Sequence, residues 1–139
     1  MSKQLFTIAF DLGGVIFKES NDTNIFSKNY LETELIPGIY DVILELNKNQ
    51  KNKLIIISKA FPNNAKKSKE ILNMYGLDTY FNSIIFCEQN ESKAHIAKAM
   101  NVDVMIDDKE SVLENFDKSI KTIFFKESEI NSLLKKITC

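Results

Sequence analysis

The chain has 139 residues, 44% of them hydrophobic and 27% charged, the size and composition of one folded domain around a single core. Eighteen lysines face nineteen acidic residues for a net charge of -1, which argues against nucleic acid or an anionic membrane as the partner. Arginine is absent, so a phosphate or carboxylate must be recognised by lysine, by backbone N–H groups or through a metal.

Five short runs rich in β-branched and aromatic residues predict strands at Leu5 to Phe10, Lys53 to Ser58, Ser83 to Cys87, Val102 to Ile106 and Ile120 to Phe125. Ile55, Ile56 and Ile57 show no alternation, as expected of a strand covered on both faces of a parallel sheet. Helical spacing joins Ile39, Val42, Ile43 and Leu46 after Pro37-Gly38, and Ile130, Leu133, Leu134 and Ile137 at the end. Pro62 opens another helix and Gly76 closes it. Lys18 to Ile36, between the first strand and its helix, is mostly polar, with room for a short helix carrying Phe26 and Tyr30. The alternation predicts an α/β, doubly wound parallel five-stranded sheet with helices on both faces, a single domain over 1–139. Phe124, Phe125 and the isoleucine runs are expected in its core. Two cysteines, Cys87 and Cys139, form neither a disulfide framework nor a metal-ligand spacing, and no apolar run approaches about 20 residues, so a cytoplasmic location is expected.

In such a sheet ligands bind beyond the carboxyl ends of the strands. Asp11 follows the first strand and is itself followed by Gly13 and Gly14; glycines there admit an anion to the backbone, although an aspartate also caps turns. Ser58 and Lys59 end the second strand at a helix N-terminus, where a hydroxyl meets either a phosphate or a cap. Lys93 lies in the first turn of the helix before the fourth strand, where a cation opposes the helix dipole, and a solvated lysine is the plain alternative. Asp107 and Asp108 follow the fourth strand; like charges about 4 Å apart repel by roughly 4 kcal/mol at an effective dielectric near 20, so the pair implies a cation. If Asp11 joins them, an oxygen-only shell beside a phosphate suits Mg2+.

This order of Asp, Ser, Lys and Asp-Asp resembles the haloacid dehalogenase superfamily of phosphohydrolases over nearly the whole chain. The resemblance implies a Rossmann-like sheet of order 5-4-1-2-3 and Mg2+-dependent hydrolysis of a phosphomonoester through an aspartyl-phosphate. It implies Asp11 as nucleophile, with Ser58 and Lys93 as its catalytic companions. It further implies that Gly13, Gly14, Ser58, Lys59 and Lys93 would hold the phosphoryl group, and that Asp11, the Gly13 carbonyl, Asp107 and Asp108 would hold the metal. The pattern departs from the family at Gly13, where its phosphatases usually carry an acid/base aspartate, worth about 10² to 10⁴ in rate, although some members with glycine there resemble working phosphatases. The departure leaves two readings open: Glu19 or Asp22 from the polar loop fills the gap, or the chain is an impaired member that binds phosphate or a partner and regulates. A response-regulator receiver, which uses similar residues, places its acidic pair after the first strand, contrary to this order. The Lys18 to Ile36 loop is too short for a cap domain, which predicts an open site for a larger substrate or one shared between subunits.

Overall fold

A computed structural model describes residues 5–139. Its strands are β1 (Phe6–Phe10), β2 (Asn52–Lys59), β3 (Ser83–Cys87), β4 (Val104–Asp107) and β5 (Lys121–Phe124). All neighbours are parallel in the order β3-β2-β1-β4-β5, the expected order read from the opposite edge. The helices are α1 (Ile39–Asn47), α2 (Pro62–Met74), α3 (Glu91–Ala99), α4 (Glu110–Leu113) and α5 (Ile130–Thr138).

The two-residue period of a strand divides its side chains between two cores. Ile8, Phe10, Leu54, Ile56, Val104 and Ile106 enter one cluster, with Ile39, Ile43, Ile71 and Leu133 from α1, α2 and α5. Ala9, Ile55, Ile57 and Met105 enter the other, with Ala97, Val112 and Leu113 from α3 and α4. Both faces are covered, which explains why these strands read as continuous apolar runs. Gly38 (φ 89°) precedes α1 and Gly76 (φ 71°) follows α2, both in the left-handed region.

Register positions the site. Phe10 pairs with Ile56 on one side and Ile106 on the other, so β1, β2 and β4 end side by side. The next residues, Asp11 and Asp107, therefore leave adjacent strands together, and the Asp11 N–H donates to the Ile106 carbonyl at 3.0 Å.

The Lys18 to Ile36 stretch forms a small flap. Its base is antiparallel: the Lys18 N–H donates to Glu34 O and the Ile36 N–H to Ile16 O, each at 2.8 Å. Its outer part is tied to α2, where the Tyr30 hydroxyl donates to Glu70 Oε2 and the Tyr75 hydroxyl to Thr33 O, both at 2.6 Å. Two expectations change here. The short helix is a 3-10 turn at Tyr30–Glu32, and Phe26 lies outside it, because Asn24 and Ser27 bend the intervening backbone into local turns. Phe124 is 37% exposed rather than core, since β5 is an edge strand and this residue points away from the cluster that takes Phe125. No helix among the described residues is long and apolar enough to cross a membrane.

A candidate active site with a buried acidic cluster

Asp11, Asp107 and Asp108 converge at the carboxyl ends of β1 and β4, with one carboxylate oxygen from each lying within 4.8 Å of the others. Lys93 reaches them from the first turn of α3. Its Nζ lies 2.9 Å from Asp107 Oδ2 and 3.3 Å from Asp11 Oδ1, and the side chain is 2% exposed. A lysine this deep is a structural commitment, since an unpaired buried ammonium is strongly disfavoured. The bland alternative of a solvated lysine is thereby removed.

The oxygens of the three acids are used unequally. Asp107 is spent: Oδ2 takes Lys93 and Oδ1 takes the Lys109 N–H at 3.0 Å. Asp11 Oδ1 accepts the Leu12 N–H at 2.8 Å as well as Lys93, while Oδ2 has no protein hydrogen bond among the described residues. Asp108 Oδ1 is buried without a hydrogen-bond partner among the described residues. An orphaned carboxylate oxygen inside a protein is costly unless a proton, a water or a cation meets it.

Charge arithmetic gives the same answer. Three carboxylates and one ammonium sum to -2, and burial makes that excess expensive. The protein meets it by retaining a proton: Asp11 is pushed up to about 7, first by desolvation and then by Asp107, against the lowering effect of Lys93. Asp108 is raised for the same leading reason, desolvation, reinforced by Asp107. Burial alone would lower Lys93, but the attraction of Asp11 and Asp107 outweighs it and holds the ammonium charged. A divalent cation would cancel the excess. The donor set is all oxygen, as Mg2+ prefers, and the unpartnered Asp108 oxygen faces no competing group, so the residues present fit that ion.

The glycines divide the work differently from the expectation. Gly13 lines the cleft beside Asp11, and its N–H meets no acceptor among the described residues. Gly14 does not line the cleft, and its N–H is already donated to Phe17 O at 2.9 Å, so it is not available to an anion. Its requirement is steric. At φ +80°, a Cβ on Gly14 would lie 2.1 Å from Asp108 Oδ2, so only glycine leaves that carboxylate its place.

Ser58 and Lys59 line the same cleft, of about 290 Å³, with Lys93 and Lys109. Ser58 is buried, and its hydroxyl has no protein partner among the described residues. Sequence reasoning missed Lys109, although it directly follows the acidic pair, and it gave Phe61 no role. Lys66, Lys67 and Lys69, on α2, do not line the cleft; Lys67 covers the Tyr30 ring and Lys69 the Phe86 ring. His95 is exposed on α3, away from the cleft. Cys87 is a buried thiol, raised chiefly by desolvation.

Glu19 holds the most informative position. Its carboxyl atoms lie 3.0 to 3.2 Å from where a Cβ on Gly13 would stand. A carboxylate from the flap thus fills the start of the space that a side chain at position 13 would occupy, and it lines the cleft with Asp11. Asp22 does not line it.

No protein-family model and no curated sequence matches the chain. Solved structures do. A haloacid dehalogenase-like family hydrolase from Xanthomonas campestris superposes with TM-score 0.60 at 10% identity, over 98% of this chain and 97% of that one. A protein from Listeria monocytogenes serotype 4b gives TM-score 0.62 at 14% identity, over 97% and 100%. A chain of the Pnkp1/Rnl/Hen1 RNA repair complex gives TM-score 0.68 at 15% identity, over 90% of this chain, which spans only 44% of that one. Such identities speak for backbone architecture, and that architecture is the fold of a haloacid dehalogenase-like hydrolase.

Proposed function

We propose that the chain is a Mg2+-dependent phosphomonoester hydrolase that works through an aspartyl-phosphate on Asp11. The observation that carries this reading is the convergence of buried Asp11 and Asp107, both paired with Lys93, and half-buried Asp108, an excess of acid over base with one carboxylate oxygen unpartnered among the described residues. Asp108, Asp11 and the Gly13 carbonyl would hold the ion, with Asp107 supporting them by fixing Lys93. Bound there, Mg2+ supplies positive charge against the repulsion between a carboxylate and a phosphate dianion.

The remaining chemistry belongs to side chains of this molecule. Asp11 Oδ1 is anchored by Leu12 and Lys93, which leaves Oδ2 as the oxygen aimed at phosphorus. The Ser58 hydroxyl, the Gly13 N–H, Lys59 and Lys93 receive the phosphoryl oxygens, and positioning of this kind carries most phosphoryl-transfer catalysis. As the bond from Oδ2 to phosphorus forms, the bond to the substrate alcohol breaks, and the alcohol leaves with a proton from the Glu19 carboxyl. Water then gives its proton to Glu19 and attacks phosphorus, the acyl-phosphate bond breaks, and Asp11 and inorganic phosphate are released. Glu19 thereby takes the duty that Gly13 cannot perform.

The test is hydrolysis of sugar, nucleotide, aryl and peptide phosphates with and without Mg2+, for wild type and Asp11→Asn. Mg2+-dependent release of phosphate, abolished by Asp11→Asn, is expected. Mg2+ binding without turnover of any substrate would replace the hydrolase with a phosphate-binding regulator, the reading that Gly13 alone favours.

A further inference from the structure

Two phenylalanines line the cleft without being buried. Phe26, from the flap, is 77% exposed, and Phe61, at the start of α2, is 54% exposed. They come from separate segments, the flap and the turn between β2 and α2. Isolated exposed apolar residues need no explanation, but two aromatic rings lining one reactive cleft form a binding feature. Ile25 and Phe17 add further apolar wall.

We infer that the substrate of this cleft is a phosphomonoester whose ester carbon belongs to a benzenoid ring, either a small aryl phosphate or the tyrosine phosphate of a peptide. This rests on the phosphohydrolase reading above and specifies the leaving group. The cleft, of about 290 Å³, has room for a phosphoryl group plus one ring. Leaving-group chemistry supports it independently. Position 13 carries no acid of its own, and Glu19 reaches the site only from a flap. A phenol, with pKa about 10, leaves with far less help than an alcohol near the roughly 15.7 of water.

Phosphonates lack the ester bond and read binding without turnover. With Mg2+ present, methyl-, cyclohexylmethyl- and benzylphosphonate are titrated calorimetrically into wild type and into the double variant Phe26→Ala/Phe61→Ala, whose truncated side chains are both exposed. Benzylphosphonate is expected to bind at least about tenfold more tightly than methylphosphonate, equivalent to about 1.4 kcal/mol, and more tightly than the cyclohexyl compound. In the double variant the benzyl-to-methyl ratio falls towards one. A wild-type ratio within about twofold, a cyclohexyl compound that binds as well as the benzyl, or a ratio unchanged in the double variant overturns the inference while leaving the phosphate site standing. Failure of all three phosphonates to bind overturns the phosphohydrolase reading itself. Turnover of phenyl phosphate compared with a tyrosine-phosphorylated peptide then separates the two sources of the ring.

Discussion

Asp11→Asn removes one negative charge from the cluster while keeping the shape of the side chain, and its effect on stability is opposite to its effect on catalysis. In the metal-free wild type the folded Asp11 holds its proton up to about pH 7, whereas the unfolded residue releases it near 3.8. The unfolded chain therefore binds fewer protons between these values, and stability falls as pH rises through that window. At 1.36 kcal/mol per unit, the shift of about three units amounts to about 4 kcal/mol lost by pH 8 and nothing lost below pH 4. Asn has no proton to retain, and its Oδ1 still accepts from Leu12 N–H and Lys93. Without metal, Asp11→Asn should match wild type near pH 4 and exceed it by a few kcal/mol at pH 8, read by urea unfolding in chelator. Excess Mg2+ should narrow or reverse the difference, because binding at 100 times Kd returns about 2.7 kcal/mol to wild type. Equal metal-free stabilities at pH 8, or a variant that gains as much as wild type from Mg2+, would refute the charge argument.

Gly14→Ala should abolish Mg2+-induced thermal stabilisation, since its Cβ collides with Asp108, while the left-handed backbone adds a further cost of about 1–2 kcal/mol; differential scanning calorimetry with and without Mg2+ reads both effects. Lys93→Met leaves Asp11 and Asp107 buried without their cation and should destabilise the metal-free protein by about 3–5 kcal/mol at pH 8 and by less at pH 5, measured by denaturant midpoint. Glu19→Gln should lower kcat on alkyl phosphates by about 10² to 10⁴ and on aryl phosphates by much less, so the ratio of the two rates distinguishes proton transfer from a packing defect.

The fold was legible because both of its signals are local. Ile55 to Ile57 announce a strand buried on two faces, and Pro62 and Gly76 mark the limits of one helix. Asp11 and Asp108 were legible from a topological rule, that ligands gather where parallel strands end. What stayed hidden depends on pairs far apart in sequence. Nothing near Gly14 indicates that Asp108 lies against it, and nothing near Lys93 indicates that its charge is enclosed by Asp11 and Asp107. Phe124 and Phe125 have the same composition signal, and only membership of an edge strand decides that one of them faces water. Glu19 could be named from the gap at position 13, but its selection over Asp22 required the path of the flap.

The placement of β1 at the centre of the sheet has a consequence for biosynthesis. Its partner on one side, β2, emerges from the ribosome soon after it, but its partner on the other, β4, begins only at Val104. Until then a nascent chain presents Ile8 and Phe10 along an unpaired border able to capture strands from other chains. A message truncated before that codon would yield an aggregation-prone fragment in which Asp11 has neither its lysine clamp nor its acidic neighbours secured, so the acidic cluster assembles only once β4 has been translated.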